Sequence, residues 1–342
     1  IEHALTHDEL TLYFQPKVNM FSGEVFGAEA LIRWNHPQKG LVPPLDFLPL
    51  IDGTELEVRL GNWVIHQALQ QLDSWLQQGI KLEVSVNIAS YHLQSPHFFS
   101  ELNKALEHYP GVDSTFLQLE VLESSALGDL EAISNIIKIC QNTLGVSVAL
   151  DDFGTGYSSL THLRSLTANT IKIDQSFVRD ILDSPSDYSI INGIIGLADS
   201  FDREVIAEGV ETTTHGLMLM MMGCEEAQGY GIARPMPASE LAGWLNQYSA
   251  NQDWIELANQ HRSTKENKVA LFNLIAEHWM TLFVESVQAL SVDDCHWPIM
   301  NDKYCLCGTW IKRAYQEQLF EQQCLEQLAY AHESIHRIAS RI

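Results

Sequence analysis

Up to about residue 248, short runs of apolar and β-branched residues alternate with longer stretches whose apolar residues recur at helical spacing. The helical stretches include Leu60–Gln78 and Asp187–Phe201. The predicted strands are Leu10–Phe14, Val25–Trp34, Leu82–Ile88, Phe116–Leu122, Val146–Leu150, Thr170–Ile173, Glu204–Ile206 and Glu226–Tyr230. Strands that alternate with helices in this way predict an α/β fold, a TIM (β/α)8 barrel over residues 1–248. The segment Met20–Glu24 between the first two strands is too short for a helix, so we expect a modified barrel with an antiparallel first strand.

Two further regions follow the barrel. Residues 249–264 are polar, rich in Gln, Asn and Ser, and we interpret them as a linker that is partly helical. Residues 265–342 return to helical spacing in Val269–Leu290 and in a run through Arg341, separated by the turn-rich stretch Ser291–Gly308. This pattern predicts a small all-α helical bundle at the C-terminus, and four helices would fit it.

Composition and charge narrow the class of protein. The chain has 342 residues, of which 46% are hydrophobic, and no apolar run approaches the about 18 residues that a membrane-spanning helix needs. A net charge of −24 argues against a nucleic-acid polymer or an anionic membrane as partner, because both attract basic surfaces. Six scattered cysteines without an export signal favour a reducing cytoplasm over a disulfide framework. Because the chain starts at Ile1, almost inside the first strand, we expect it to be a piece of a longer protein.

Acidic and amide side chains lie at or near the C-terminal end of nearly every predicted strand. They are Glu29, Asn87, Glu120, Asp151, Asp152, Glu208 and Gln228, with Lys172 as the cation among them. A barrel gathers these strand ends into one ring at its C-terminal mouth, where barrel enzymes keep their chemistry. Carboxylates that converge in this way repel one another unless divalent cations neutralise them. Oxygen ligands of this kind suit Mg²⁺ or Mn²⁺ better than zinc. A single such residue is more often a solvated strand end or part of a salt bridge, and the functional interpretation rests on the whole set.

An ordered series of motifs on these strands resembles the EAL family. The motifs are Gln15-Pro16-Lys17, Glu29-Ala30-Leu31 with Ile32-Arg33-Trp34, Ser85-Val86-Asn87-Ile88, Glu120-Val121-Leu122-Glu123-Ser124, Asp151-Asp152-Phe153-Gly154-Thr155-Gly156, Ile171-Lys172-Ile173-Asp174, Ala207-Glu208-Gly209-Val210-Glu211 and Gln228-Gly229-Tyr230. Each motif alone is weak, but their order and spacing over residues 1 to about 245 are specific. The resemblance implies a phosphodiesterase that hydrolyses the bacterial second messenger cyclic di-GMP to linear pGpG, by in-line attack of water without a covalent intermediate.

The resemblance also implies a role for each side chain. It implies two Mg²⁺ or Mn²⁺ ions in the barrel, with Asp151 between them and with the ligands Glu29, Asn87, Glu120, Asp151, Asp152 and Glu208. It implies that the catalytic residues are Lys172, Glu208, Glu123 and Asp152. Among them, Lys172 would hold the attacking water or stabilise the developing charge. The implied contacts to the substrate are Gln15, Arg33, Glu211 and Gln228.

One position departs from the family pattern. In the family, the second Glu of an E-x-T-E motif anchors the loop that corresponds to Phe153–Leu160, and that Glu is Glu123 here. The usual Thr is replaced by Leu122, which removes no metal ligand but leaves the support of the loop open. The alternative function is therefore a catalytically silent cyclic di-GMP receptor. The ligand set is complete, and this favours an active enzyme.

A second group of metal-binding residue types lies near the C-terminus. His332 and His336 are four residues apart in a helical stretch, so both rings lie on one face, as in many zinc sites and many plain solvated helices. Together with His278-Trp279 and Cys305-Leu306-Cys307-Gly308-Thr309-Trp310, they are similar to the CZB family of zinc-binding domains over about residues 265–342. The resemblance implies one Zn²⁺ with the ligands His278, Cys305, His332 and His336. Cys295, His296 and Cys307 lie nearby, and we interpret them as structural.

Three hypotheses follow for the whole chain. In the first, zinc at the C-terminal domain changes the orientation or dimerisation of the barrels and so the rate of hydrolysis. In the second, the protein is the silent receptor. In the third, an active barrel carries a purely structural helical tail. The family resemblance also implies a homodimer, with sensory or GGDEF domains upstream in the full-length protein.

Overall fold

The computed structural model describes residues 1–123, 130–155, 165–260, 262–289 and 296–341. Its centre is a closed barrel in which eight strands hydrogen-bond to one another in a ring. The strands are β1 (Leu10–Asn19), β2 (Val25–His36), β4 (Glu83–Ile88), β5 (Leu117–Leu122), β6 (Ser147–Phe153), β7 (Thr170–Ile173), β8 (Glu204–Ala207) and β9 (Glu226–Ala227). Two short strands, β3 (Gly40–Val42) and β10 (Met236–Pro237), extend the sheet beside β2 and β1.

The strand directions confirm the predicted modification of the barrel. β1 is antiparallel to both of its barrel neighbours, β2 and β9, while every pairing from β2 round to β9 is parallel. The turn Met20–Glu24 closes the β1–β2 hairpin, because a connection of this length cannot cross over to a parallel strand. β1 continues to Asn19, well beyond the predicted end at Phe14, so Gln15 and Lys17 belong to the strand and are buried.

Helices surround the barrel. Among the described residues of 1–248, the α-helices are α1 (Glu2–Thr6), α2 (Glu55–Gln77), α3 (Ser90–Leu93), α4 (Phe98–His108), α5 (Leu130–Ile139), α6 (Gln175–Arg179), α7 (Pro185–Ser200), α8 (Thr213–Met222) and α9 (Ala238–Gln247). The longest of them, α2, buries Ile65, Leu69 and Leu72 on one face, and the Trp75 ring meets the Phe14 ring of β1 edge-on at 4.8 Å. An apolar stripe of this kind docks a helix on a barrel.

The segment predicted as a linker is packed on the barrel. It contains α10 (Gln252–Ala258), whose Trp254 is buried and donates a hydrogen bond of 2.9 Å from Nε1 to the carbonyl of Thr213. Gly216 of α8 leaves room for this indole, since a Cβ there would lie 2.4 Å from the ring. The polar segment 249–264 therefore contains a short helix that packs on the barrel.

The C-terminal region is helical. Its described residues form α11 (Thr264–Gln288), α12 (Leu306–Gln316) and α13 (Gln322–Ala339). A capping box starts α11, in which Ser263 and Glu266 exchange hydrogen bonds between side chain and backbone. The buried faces of the three helices meet around Trp279 and Trp310. Across the described residues, every helix is too short or too polar to cross a membrane.

Candidate active site

A buried lysine lies at the centre of the barrel mouth. Lys172 of β7 is 1% exposed, and its ammonium group contacts four carboxylates from four other strands or their ends. The distances from Nζ are 2.6 Å to Glu208 Oε1, 2.8 Å to Glu120 Oε2, 3.0 Å to Asp151 Oδ1 and 3.4 Å to Glu29 Oε2. The side chains come together because parallel pairing brings the C-terminal ends of the strands to the same end of the barrel.

Amide side chains hold Glu29 between them. Asn87 Nδ2 donates to Glu29 Oε1 at 2.7 Å, and Gln228 Nε2 donates to Glu29 Oε2 at 2.6 Å. Gln228 also donates to Gln15 Oε1 at 3.0 Å, and Gln15 in turn donates to the carbonyl of Ala233. The orientation of Glu29 is therefore fixed from both sides, and Gln15 takes part in a hydrogen-bond chain within the site.

A strand irregularity turns two neighbouring aspartates toward the same place. In a regular strand, Asp151 and Asp152 would point to opposite faces. The β6–β7 register shifts between Leu150 and Phe153, and Asp152 adopts a left-handed backbone with φ of 54°. As a result, ligand atoms of Asp151, Asp152 and Glu208 all lie within 4.8 Å of one another. Burial, Asp151 and Asp174 raise the pKa of Asp152 to about 6.

The electrostatics of the mouth favour a further cation. Burial and the neighbouring Glu29 raise the pKa of Glu120 to about 8, and burial raises the pKa of Glu208 well above its ordinary value. Burial opposes the ionisation of Glu29 as well, but Lys172 and the two amide donors outweigh it and lower the pKa of Glu29. Within the described residues, Glu120 Oε1 and Gln228 Oε1 are buried and receive no hydrogen bond. Buried oxygens of this kind are normally paired, and their chemistry suits a hard divalent ion.

A cleft opens beside the carboxylates. It has a volume of about 250 Å³ and is lined by Gln15, Glu29, Leu31, Arg33, Asp151, Gln175, Glu208, Gly209, Glu211, Gln228, Gly229, Tyr230 and Pro235. The predicted substrate residues Gln15, Arg33, Glu211 and Gln228 are therefore brought together on its wall. Two further side chains were not predicted as site residues. Tyr230 lines the cleft and is 53% exposed, and the Arg234 guanidinium lies 4.2 Å from the centroid of the Tyr230 ring. The sequence contained a feature that could have pointed to each of them. Tyr230 follows directly on Gln228-Gly229, and Arg234 is one of only 20 Lys and Arg residues in a chain with 44 Asp and Glu residues.

Glu123, the predicted anchor of the loop, contacts the start of that loop. Oε2 of Glu123, which is 3% exposed, accepts a hydrogen bond of 3.0 Å from the Gly154 N–H. Leu122 is 36% exposed, and the hydrogen bond is present although Leu122 replaces the usual Thr. The remainder of the predicted loop, residues 156–160, lies outside the described residues.

A second cluster lies between the C-terminal helices. Cys305 Sγ is 3.1 Å from His332 Nε2 and 3.5 Å from His336 Nε2. The His336 Nδ1–H donates to the carbonyl of Met300 at 2.8 Å, which leaves Nε2 free as an acceptor toward Cys305. A ring nitrogen tied to a carbonyl in this way is typical of metal-binding histidines. A hydrogen bond from Cys307, His332 and the Gly308 N–H together lower the pKa of the Cys305 thiol, although burial opposes them.

The chain geometry around Cys305 depends on Gly308. Cys305 is the N-cap of α12, and its sulfur accepts a 3.2 Å hydrogen bond from the Gly308 N–H. A Cβ at Gly308 would lie 1.9 Å from the carbonyl oxygen of Asp302, so only glycine fits this turn. Cys307 contacts Cys305 and is buried, and His296 is outside the described ligand cluster. Cys295 lies outside the described residues.

His278 is not part of this cluster in the structure. The described group of ligand atoms within 4.8 Å of one another contains Cys305, His332 and His336. His278 Nε2 instead donates a 2.8 Å hydrogen bond to Oδ1 of Asp183, on the barrel. The structure thus brings together three of the four predicted zinc ligands and leaves the fourth beside them.

Comparison with known proteins agrees with this geometry. The family model described as EAL domain matches residues 1–235. The chain is 39% identical over 240 residues to "Cyclic di-GMP phosphodiesterase PA2567" of Pseudomonas aeruginosa, covering 70% of this chain and 40% of the relative. It is 38% identical over 248 residues to "Cyclic di-GMP phosphodiesterase PdeR" of Escherichia coli, covering 72% of this chain and 37% of that protein. The solved structure "PaMucR Phosphodiesterase, c-di-GMP complex" superposes with a TM-score of 0.67 at 37% identity, covering 70% of this chain and 97% of that one.

The matches cover only part of this chain and only part of each curated relative. The chain spans about 40% of the length of the curated relatives it matches. The family match ends at residue 235, before α11, α12 and α13 begin. The comparisons therefore bear on the barrel and not on the C-terminal helices.

Proposed function

Because this chain belongs to the EAL domain family, we propose that it hydrolyses cyclic di-GMP to linear pGpG with the help of two divalent metal ions. The observation that carries the proposal is the contact of Lys172 with four carboxylates at the barrel mouth. One ammonium group cannot balance four carboxylates, and the site opens into a cleft beside them. A site of this kind suits a phosphodiester substrate only when cations reduce its negative charge.

The donor set fits Mg²⁺ or Mn²⁺. Glu29, Asn87, Glu120 and Asp151 would hold one ion, and the unpaired Glu120 Oε1 supports this assignment. Asp151, Asp152 and Glu208 would hold the other, since their ligand atoms already lie within 4.8 Å of one another. When bound, such ions lower the pKa of water and neutralise charge on the phosphoryl oxygens.

The side chains of the chain position the reactants. Lys172 stabilises negative charge that develops at the centre of the mouth and keeps the four carboxylates close together. The Asn87–Glu29–Gln228–Gln15 hydrogen bonds fix the wall of the cleft on which substrate rests. Arg33 on the same wall supplies a cation for a phosphate of the dinucleotide. Burial of Lys172 and Glu120 excludes water and strengthens these interactions.

We further propose that residues 265–342 are a CZB-like domain that binds one Zn²⁺ and modulates the barrel. The thiol of Cys305 and the Nε2 atoms of His332 and His336 supply sulfur and nitrogen donors, the set that zinc prefers. His278 is the proposed fourth ligand. Residues 1–248 would form the catalytic domain and 249–264 its connection to the zinc-binding domain.

The deciding experiment measures turnover of cyclic di-GMP with the product identified by mass. Wild-type protein with Mg²⁺ or Mn²⁺ should yield pGpG, and Glu29→Ala should lower the rate roughly 10³-fold or more, since each 1.36 kcal/mol of lost stabilisation is tenfold in rate. Glu226→Gln is the matched control, because Glu226 is a largely buried carboxyl that lines a different cleft, together with Arg203, Glu204 and Glu225, and should leave the rate unchanged.

The alternative function is a silent cyclic di-GMP receptor. It predicts tight binding of the dinucleotide by wild type and no pGpG at saturating Mg²⁺ or Mn²⁺. The intact hydrogen bond from Gly154 to Glu123 favours the enzyme, because the support of the loop beside Asp152 is retained despite Leu122. Elemental analysis of the same sample counts zinc and tests the C-terminal site independently.

A further inference from the structure

One hydrogen bond links the barrel directly to a proposed zinc ligand. His278 lies in the middle of α11, and its Nε2 donates to Asp183 Oδ1 at 2.8 Å. Asp183 belongs to the segment between α6 and α7. A carboxylate only accepts hydrogen bonds, so the Nε2 proton of His278 is committed to Asp183.

The ring of His278 also borders the C-terminal cluster. A small cavity of about 20 Å³ is lined by both sides of this contact, including Leu182 and Asp183 of the barrel and His278, Cys305 and Cys307 of the helices. A cavity of this size holds about one water molecule. His278 and the cluster around Cys305 thus face the same small space, although no ring nitrogen of His278 joins the ligand atoms that lie within 4.8 Å of one another.

A tetrahedral zinc site needs a closer approach of this ring. Zinc–nitrogen and zinc–sulfur bonds of about 2.0–2.3 Å bring ligand atoms within about 4 Å of one another. Asp183 is largely exposed, with a side chain 59% accessible, while His278 is 22% accessible. Pairs with such an exposed carboxylate are weak, because water replaces the lost contact at little cost. Neither ring nitrogen of His278 lies within 4.8 Å of all three ligand atoms, so the ring must move toward Cys305 before either nitrogen can share an ion with them, and that movement draws Nε2 away from Asp183. A bond from the ring to zinc is much stronger than this exposed pair, so zinc would displace the carboxylate.

We propose that Asp183 and zinc compete for His278, so that metal binding releases α11 from the barrel at this contact. The proposal rests on the zinc site proposed above and assigns Asp183, a barrel residue, as the group that opposes its closure. The barrel segment that loses its contact with α11 is short and leads to the active site. It runs from Lys172 through Asp174, which raises the pKa of Asp152, and Gln175, which lines the substrate cleft, to Leu182 and Asp183. Zinc at the C-terminal site would thereby remove a contact from the segment that carries Gln175, a residue of the cleft wall.

The experiment measures zinc affinity by competition with a chromophoric chelator, so it needs no enzyme activity. Asp183→Ala should bind zinc about twofold to fivefold more tightly than wild type, the range expected for removal of a weak competing pair. Asp180→Ala is the matched control. It removes the same charge from the same segment, but its carboxylate pairs with Arg179 at the surface and should not alter zinc affinity beyond twofold. In a His278→Ala background, Asp183→Ala should have no effect on the affinity.

Other outcomes overturn the proposal. An affinity of Asp183→Ala equal to that of Asp180→Ala means that Asp183 and zinc do not share His278. A weaker affinity means that Asp183 supports the ring in the metal site and does not oppose it. If wild type takes up no zinc, the zinc site itself is wrong and the competition falls with it, while normal zinc uptake with an unaffected Asp183→Ala contradicts the competition alone.

Hydrogen exchange supplies a second readout. Zinc should speed amide exchange in the peptide around residues 177–184 of wild type, because the contact with α11 is lost, and should not change it in Asp183→Ala. Slower exchange on zinc addition in wild type would contradict the release.

Discussion

The barrel mouth and the C-terminal helices both gather metal-binding side chains, but they hold them in different ways. In the mouth, the oxygen donors come from five strands of one closed sheet or from the residue that follows a strand, with β6 supplying both Asp151 and Asp152, and Lys172 touches four of the donors. In the helices, His332 and His336 lie one turn apart on α13 and meet Cys305 at the start of α12. The fourth expected donor, His278, lies on a third helix and is bonded to the barrel.

The difference concerns how completely each site is fixed before a metal binds. A closed barrel fixes the relative positions of its strand ends, so the oxygen donors converge without help from an ion. Three helices packed on one another can shift by small amounts, so closure of the sulfur and nitrogen site depends on which partner His278 takes. We therefore expect the mouth to respond to mutation mainly in catalysis and metal-dependent stability, and the helices mainly in zinc content.

The largest expected effect comes from the buried lysine of the mouth. Lys172→Met leaves four carboxylates without their cation, and should destabilise metal-depleted protein by about 3 to 5 kcal/mol. Mn²⁺ should recover much of this loss, because it supplies the missing positive charge. Thermal unfolding with and without Mn²⁺ measures both.

The control for this variant is a second buried lysine among the described residues of the barrel. Lys17 is 2% exposed and bonds Glu83 at 2.8 Å and Gln118 at 3.2 Å, away from the substrate cleft. Lys17→Met should be destabilising as well, but Mn²⁺ should not recover it. Equal recovery of both variants would mean that the mouth is not a specific metal site.

The second effect tests the loop anchor. Glu123→Ala removes the acceptor of the Gly154 N–H and should lower turnover about 10- to 100-fold, the range for residues that position metal ligands. Because the role is one of positioning, the Mn²⁺ concentration for half-maximal rate should rise as well. Leu122→Thr, which changes an exposed neighbour and leaves the bond in place, should alter the rate less than about threefold. A comparable loss in Leu122→Thr would show that Leu122 itself supports the loop.

The third effect is the pH dependence of metal binding in the mouth. Glu120, with its pKa raised to about 8, holds a proton between pH 8 and 6 that a divalent ion must displace, whereas Asp152, with its pKa raised to about 6, adds a second proton only below about pH 6. Apparent Mn²⁺ affinity should therefore fall as the pH is lowered from 8 to 6, roughly tenfold per pH unit for each proton displaced. Titration calorimetry at several pH values measures the slope.

A control separates these groups from other buried carboxyls. Burial raises the pKa of Glu226 to about 7, inside the same window, but Glu226 lines a different cleft from the mouth. Glu226→Gln should leave the slope unchanged. A flat profile between pH 8 and 6 in wild type would mean that Glu120 does not hold the metal.

The smallest effect on turnover comes from the helices. His332→Ala combined with His336→Ala should lower bound zinc from about one per chain to none, because two of the proposed donors are lost. Hydrolysis in Mg²⁺ should change only a few-fold, since no residue of the mouth is altered. Elemental analysis and turnover are measured on the same sample. Loss of hydrolysis comparable to Glu29→Ala would contradict the separation of the two sites.

Much of the barrel was predictable from local pattern. The confirmed elements include every predicted strand, with its start within about two residues, and the antiparallel β1, which followed from the length of Met20–Glu24 alone. The site residues were predictable as a group because a barrel always brings its strand ends together. Their individual metal and catalytic roles stay predictions. The shared direction of Asp151 and Asp152 was not predictable, since it depends on a register shift against β7.

The sequence by itself determined the order of strands and helices, the kind of donor atoms at each site, and the helical spacing of His332 and His336, because these depend on residues close together in the chain. Only the tertiary structure decided that Lys172 contacts four carboxylates, that Trp254 docks the predicted linker on α8, and that His278 bonds to Asp183. Those contacts join residues far apart in sequence. They depend on the packing of whole elements, which local propensity does not specify.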